Sequence, residues 1–309
     1  MEIFSLSSRQ PNTFPAGAVI LFGCFDGVHP GHLALLEEAK RIAGGEHPIV
    51  VWVIDRGAPD CLTTREEKCR IFARHGADYL AEEDFAGICS LSGEEFFSRH
   101  AAVKQPYAVV CGFNFRFGVK ASCGADDLKK MAADRGILCS AVPAESKNGL
   151  TISSTAIRKA VHEGDLVTAA ELLGYPLSYT SEICHGRQIG RTIGHPTLNQ
   201  RIPELKIAPP HGVYSCVCSF EMDGVPMTRG GVCNIGSRPT VNDDMSDVTL
   251  ETYLFDFSGD LYGTAVTTSL VERIRGERRF DSVEALRDQI LRDEENARIS
   301  LRNRGYGDL

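Results

Sequence analysis

The first half of the chain alternates between two rhythms of hydrophobic and polar positions. AVILF (residues 18–22) reads as a buried strand, PIVVWVI (48–54) is apolar throughout, as a strand covered on both faces should be, and YAVVCG (107–112) and ILCSAV (137–142) are further strand-like runs. Between them stand segments with helical spacing and helix-end signals. HPGHLALLEEAKRIAGG (29–45) carries Pro30 in its first turn and glycines at its end. Thr64 with Glu67 forms a capping box ahead of EEKCRIFARHG, which stops at Gly76, and Ser92 with Glu95 forms another ahead of SGEEFFSRHAA. GADDLKKMAADRG (124–136) closes on Gly136. Such alternation predicts a parallel α/β sheet with right-handed crossovers.

The rhythm changes near residue 175. SSTAIRKAVHEG and DLVTAAELLG read as two short helices, and Gly174-Tyr175-Pro176 ends the second. Beyond them come short β-rich segments punctuated by Gly and Pro: LSYTSEICHG, GVYSCVCSFEMDG, TRGGVCNIG, VTLETYLFDFSG and TAVTTSLVERI. This spacing predicts a small antiparallel barrel or sandwich. A last helix is expected from Asp281, capped with Glu284, with Val283, Leu286 and Ile290 on one face. A length of 309 residues suits two domains, divided here as 1–176 and 177–309.

A formal charge of −8, from 41 acidic and 33 basic residues, argues against a nucleic-acid coat, which would show a basic excess. The 11 cysteines form no CxxC pair and read as reduced, mostly buried thiols rather than a disulfide framework or a zinc site. The first residues lack the basic and apolar regions of a signal peptide, and no apolar run reaches membrane-spanning length. The expectation is a cytoplasmic protein acting on small molecules, without membrane or nucleic-acid partners and with self-association left open.

GCFDGVHPGH (23–32) lies where a strand turns into a helix. Free backbone N–H groups and the positive end of the helix dipole make such a turn an anion site. His29 and His32 admit three local readings: phosphate donors, turn packing, or metal ligands. The last is the poorest, because helical ligand pairs usually stand four apart and no third ligand stands at a telling distance. GFNFRFG (112–118) ends a strand at the edge where open α/β sheets bind ligands. Ser153, Ser154 and Thr155 in ISSTAIR (152–158) read locally as helix capping, or, with Arg158, as a cradle for pyrophosphate.

In the second half, GRTIGHPTLN (190–199) combines glycines that allow close backbone approach with Thr197 and Asn199, hard oxygen donors suited to Mg²⁺ and phosphate. A Gly/Pro-rich barrel loop is the bland alternative. Glu251, in LETYLFDF (250–257), should point to the face opposite Leu250 and Thr252. It is either a general base or a solvent-facing strand glutamate.

GCFDGVHPGH, LTTREEK, GFNFRFG and ISSTAIR, in that order, resemble the FMN adenylyltransferase half of bacterial bifunctional riboflavin kinase/FAD synthetases, members of the nucleotidylyltransferase superfamily. GRTIGHPTLN, NIGSRPT (234–240), LETYLFDF, LYG (261–263) and RGERRFDS (275–282) resemble the riboflavin kinase half. The resemblance implies an α/β + β fold: a Rossmann-like nucleotidylyltransferase parallel sheet, then a small antiparallel β-barrel with a C-terminal helix. It implies phosphorylation of riboflavin to FMN and adenylylation of FMN to FAD with release of pyrophosphate, both with ATP and Mg²⁺.

By resemblance, the catalytic residues are Glu251, His29 and His32. ATP and its phosphates fall to Gly23, Phe25, Gly31, Asn114, Arg116, Ser153, Ser154, Thr155, Arg158, Gly190, Gly194 and Thr197. Flavin falls to Phe113, Phe115, Asn234 and Arg238, and Mg²⁺ to Thr197 and Asn199. The chain departs from the family at Cys24, where Asn is common, at His195, where Phe is usual, and at IDRGAP (54–59), where a Pro-His-Pro stretch is usual. The IDRGAP departure motivates a second reading, a riboflavin kinase with a degenerate N-terminal half. A non-catalytic flavin or nucleotide sensor is a third, disfavoured because a sensor needs no base.

Overall fold

The computed structural model describes residues 1–5, 14–102, 104–184, 195–238 and 247–309. By backbone proximity they divide into two compact units, Met1–Ser154 and Thr155–Leu309.

The first unit is built on six parallel strands in the order β1-β4-β3-β2-β5-β8. These are β1 (Glu2–Ser5), β2 (Val19–Gly23), β3 (Ile49–Asp55), β4 (Tyr79–Asp84), β5 (Ala108–Gly112) and β8 (Leu138–Val142). Helix α1 (Pro30–Ala43) follows β2, α2 (Arg65–Arg74) follows β3, and two one-turn helices, α3 (Phe85–Ile88) and α4 (Gly93–Phe96), follow β4. α4 continues into a π turn at Phe97–Ala101, and α5 (Ala125–Ala133) precedes β8. Short ribbons β6 (Arg116–Phe117) with β7 (Cys123–Gly124), and β9 (Ser146–Lys147) with β10 (Leu150–Thr151), complete the unit. Alternate residues of the central strands feed two cores. Ile20, Phe22, Trp52 and Val109 pack on one face, and Val19, Leu21, Val51 and Val110 on the other. β2 is where the strand order reverses, with β3 on one side and β5 on the other, so the turn after it opens at the sheet's switch point.

Both expected capping boxes form, at Thr64/Glu67 and Ser92/Glu95. Two strands escape the apolar pattern. β1 is only four residues long, and β4 carries acidic residues inside the sheet. Glu82 is held by Arg65 at 2.7 Å, and Glu83 is buried with His100 3.8 Å away.

The second unit begins with α6 (Ser154–Glu163) and α7 (Leu166–Leu173), although Ser154 itself falls in the first. The expected division at 176/177 lies just beyond α7. An antiparallel sheet of order β11-β16-β13-β14-β15-β12 follows. Its strands are β11 (Ser178–Glu182), β12 (Leu198–Arg201), β13 (Gly212–Met222), β14 (Val225–Arg238), β15 (Asp247–Leu254) and β16 (Ala265–Gly276). Cys184 N–H donates to the Asn199 carbonyl at 2.9 Å, linking the two edge strands into a nearly closed barrel. Tyr214, Cys216, Cys233, Leu250 and Leu270 line its interior. All 11 cysteines are free: five buried, five half-buried, and Cys89 exposed.

The C-terminal helix (Val283–Asn303) departs from expectation in its cap: Ser282, not Asp281, is its N-cap, accepting from Ala285 N–H at 3.1 Å. Of the expected face, Val283 is exposed and Leu286 and Ile290 are half-buried. The buried residues Gln289, Asp293, Ala297, Ser300 and Leu301 continue that same face toward the C-terminus. Polar groups on the barrel meet it there. Asp293 takes a bidentate pair from Arg275, with contacts of 2.7–3.0 Å, and Ser300 donates to Glu272 at 2.7 Å. Buried charges are tolerated there because each is paired.

Candidate functional site

In the first unit, Gly23 ends β2 and the chain turns sharply into α1. Phe25 (φ 48°), Gly27 (φ 83°) and Val28 (φ 28°) all have positive φ, which for the β-branched Val28 is a strained conformation. The small residues have specific reasons. A Cβ on Gly23 would meet the folded-back Phe25 ring at 3.0 Å, and one on Gly31 would meet the His29 ring at 3.2 Å. The Phe25 ring is fully buried, edge-on to His32 and Phe72 with centroids 5.3 and 5.2 Å away.

His29 is the N-cap of α1 but makes no side-chain cap. Its ring stacks on that of His32 at 3.7 Å and 15°, and neither Nδ1 has a partner although both are buried. Burial pushes His29 down to about 4, against smaller upward effects from its backbone hydrogen bond and Asp26. Burial, then the charges of His29 and Lys68, drives His32 well below the usual histidine range. The pair is therefore neutral at pH 7. Two uncharged imidazoles with unmet polar atoms at a helix N-terminus suit hydrogen bonding to an anion. Packing is visible in the stack itself.

Ser154 reaches this turn: its Oγ donates to the Asp26 carbonyl at 2.7 Å. Ser153 is half-buried beside it, while Thr155 and Arg158 open α6 in the second unit. After β5, Phe113 is 55% exposed at the sheet's carboxyl edge, and Asn114 and Arg116 are exposed with it. Phe115 is only 8% exposed and packs in the core against Phe22, Phe96 and Phe117.

In the second unit, strand register brings three of the anticipated residues into one row. Glu251 on β15 pairs with Asn234 on β14 and with Asn199 on β12. Directly opposed residues share a face of the sheet. Leu250 and Thr252 are fully buried on the other face, so Glu251 stands outside the barrel interior as alternation requires. β12, the strand that carries Asn199, is hidden in sequence by the Gly/Pro content before it. Asn199 Nδ2 donates to the Thr197 carbonyl at 3.4 Å, which fixes its amide beside the row.

A cleft of about 420 Å³ adjoins the row, lined by Thr197, Tyr253, Phe257, Asp260 and Tyr262 among others. His195 stands edge-on to Tyr253 at 4.9 Å, a ring contact of the kind a phenylalanine would make. Gly190, Gly194 and the side chain of Arg238 lie outside the described residues. Arg275 is committed to Asp293.

Among the described residues no three His, Cys, Asp or Glu side chains gather as a metal cage. Oxygen donors at Thr197 and Asn199 beside one carboxylate nevertheless fit Mg²⁺, which keeps water and takes further oxygens from phosphate.

Comparison with known proteins divides the chain in the same way. A family model described as FAD synthetase matches residues 12–156, and one described as riboflavin kinase matches residues 173–301. A bifunctional riboflavin kinase/FMN adenylyltransferase of Listeria monocytogenes is 35% identical over 292 residues, covering 91% of each chain. The Escherichia coli K12 protein of the same name is 35% identical over 298 residues, covering 91% of this chain and 92% of its own. A crystal structure from Streptococcus pneumoniae, named a macrolide-efflux protein, superposes with a TM-score of 0.82 at 31% identity. It covers 93% of this chain and 95% of its own. Among the described residues no helix is long and apolar enough to cross a membrane.

Proposed function

The chain belongs to the bifunctional riboflavin kinase/FMN adenylyltransferase family, with a FAD synthetase domain followed by a riboflavin kinase domain, and on that premise we propose how its own residues divide the two reactions. The observation that carries the assignment for the kinase is the single row Asn234–Glu251–Asn199 beside Thr197.

Riboflavin's 5′-hydroxyl oxygen attacks the γ-phosphorus of ATP. A new O–P bond forms, the bond to the β,γ-bridging oxygen breaks, and ADP leaves. Glu251 accepts the hydroxyl proton. Thr197 and Asn199 would hold Mg²⁺, which would supply charge neutralisation for the phosphates. Asn234 and Arg238 orient the flavin, and Gly190 and Gly194 let the backbone approach the phosphates. The cleft past Thr197 is large enough for the nucleoside end of ATP.

In the first half, an oxygen of FMN phosphate attacks the α-phosphorus of a second ATP. The Pα–O bond to the β-phosphate breaks and pyrophosphate leaves. No covalent enzyme intermediate is required, so positioning and charge neutralisation do the work. His29 and His32 donate to the ATP phosphates, with Gly23, Phe25 and Gly31 shaping the turn that presents them. Ser153, Ser154, Thr155 and Arg158 receive the pyrophosphate, while Asn114 and Arg116 contact the nucleotide. Phe113 offers its exposed ring to the flavin, and Phe115 supports it from the core. The functional division falls at 1–176 and 177–309, with the reactions in the cytoplasm and self-association open to test.

The test is to supply riboflavin, ATP and Mg²⁺ and resolve the flavins chromatographically. FMN followed by FAD is expected. FMN alone would instead support a kinase with an idle first half, and neither product a sensor. Glu251→Gln should lower FMN formation by about 100-fold or more while supplied FMN is still converted to FAD. An equal loss of both steps in the folded variant would refute this division of labour.

A further inference from the structure

Asp26 is a buried carboxylate in the middle of the strained turn, and no role has been assigned to it above. Its Oδ1 accepts from the backbone N–H groups of Leu62 and Thr63, at 2.8 and 3.2 Å. Thr63 returns the contact, its Oγ1 accepting from Gly27 N–H at 2.9 Å. The Asp26 carbonyl takes the Ser154 hydroxyl at 2.7 Å. One residue and its neighbour thus join three stretches that lie far apart in sequence: the histidine turn, the segment before α2, and the start of ISSTAIR.

The strain explains why such a clamp is needed. Positive φ at Phe25 and Val28 is strained backbone that persists only where surrounding contacts over-determine it. The contacts through Asp26 and Thr63 do that, two of them from main-chain donors whose positions are fixed by β3 and α2. His29 follows Asp26 by three residues, with no side-chain cap of its own to hold it. Were the turn to relax, the stacked rings would lose their aim, and misplacement by about 1 Å can cost about 100-fold in rate.

We propose that Asp26 is a positioning residue for adenylyl transfer: with Thr63 and Ser154 it locks the turn that aims His29 and His32 at the phosphates. The inference rests on the phosphate-binding reading of those histidines. Its Oδ1 acts through the backbone N–H groups of Leu62 and Thr63.

The test uses the full-length protein with riboflavin phosphorylation as an internal standard. Asp26→Ala should lower kcat for FAD formation from supplied FMN by about 100-fold, with KM for FMN within threefold of the parent and FMN formation from riboflavin within twofold. Asp26→Asn keeps an acceptor oxygen at Oδ1 and should recover most of the loss. Thr63→Val, close in shape, should lower the same kcat by about tenfold and guards against misfolding of the alanine variant. Unchanged FAD formation in Asp26→Ala, or an asparagine variant as impaired as the alanine one, would overturn the proposal. His29→Ala distinguishes the levels. If it leaves FAD formation intact, the phosphate reading itself fails. If it abolishes FAD formation while Asp26→Ala does not, only the positioning role fails.

Discussion

At the scale of single residues, the proposed role of the histidine pair in adenylyl transfer turns on its protonation. A charged imidazolium would be the simplest partner for phosphate, but burial keeps both rings neutral, aided at His32 by the charges of His29 and Lys68. On the proposed reading their contribution is directional N–H donation, which leaves the charge of ATP to be met elsewhere, as by the α1 N-terminus and arginine. The sign has a measurable consequence. A histidine with an ordinary value near 6.5 would take up a proton as the pH falls from 8 to 5.5, whereas His29 protonates only near 4 and His32 below the usual range. Because kcat/KM reports the free enzyme, its profile for FAD formation should show no histidine limb over pH 8 to 5.5. A fall centred near 6.5, matched by a titration of the His29 ring near 6.5 in NMR spectra of the parent protein, would mean the rings titrate normally and carry charge into the reaction.

At the scale of elements, legibility in the sequence followed apolar content. β2, β3, β5 and β8 are apolar runs bounded by clear helix signals, and they form where the pattern puts them. β4 was not legible because YLAEED carries its acids inside a sheet, tolerable only through partners from distant segments. β12 was hidden by glycines and prolines, although Asn199 on it was singled out for its chemistry. In the C-terminal helix the aliphatic stripe marked the right face, but not the polar residues that bury deepest on it, Asp293 and Ser300, which meet Arg275 and Glu272 on the barrel. Likewise Gly23, Gly31 and both histidines could be picked out by residue type, but Asp26 and Thr63 could not, because their bonds cross 36 and 37 residues.

β4 also makes a prediction. Burial, helped by Asp84, lifts Glu83 from 4.5 to about 7, so between those values the folded chain holds a proton that the unfolded chain releases. Stability therefore falls as the pH rises through that window, by about 3 kcal/mol at most. His100, lowered to about 4 chiefly by burial, opposes this below pH 6.5 but is common to parent and variant. Glu83→Gln should then melt several degrees above the parent at pH 8 and close to it at pH 5, by thermal denaturation. Equal shifts at both pH values would show that Glu83 does not titrate in the native state.

At the scale of the whole molecule, the two proposed machineries share no residue. One draws on positions 23 to 158 and the other on positions 190 to 251, and each half is matched by its own family model. FMN is at once the product of the later segment and the substrate of the earlier one. Nothing in the division of residues requires that both steps on a given flavin occur on the same chain. Two inactivated proteins can therefore complement each other. Glu251→Gln alone should make neither FMN nor FAD from riboflavin, and His29→Ala alone should stop at FMN. Mixed with riboflavin, ATP and Mg²⁺, they should make FAD after a lag in which FMN accumulates, at a rate that rises with the concentration of Glu251→Gln. Time-resolved flavin chromatography reads each of these features directly. FMN that accumulates in the mixture without conversion, while Glu251→Gln still converts added FMN, would mean that FMN formed by the kinase is withheld from solution. The two halves would then act as one device rather than as two enzymes on one chain.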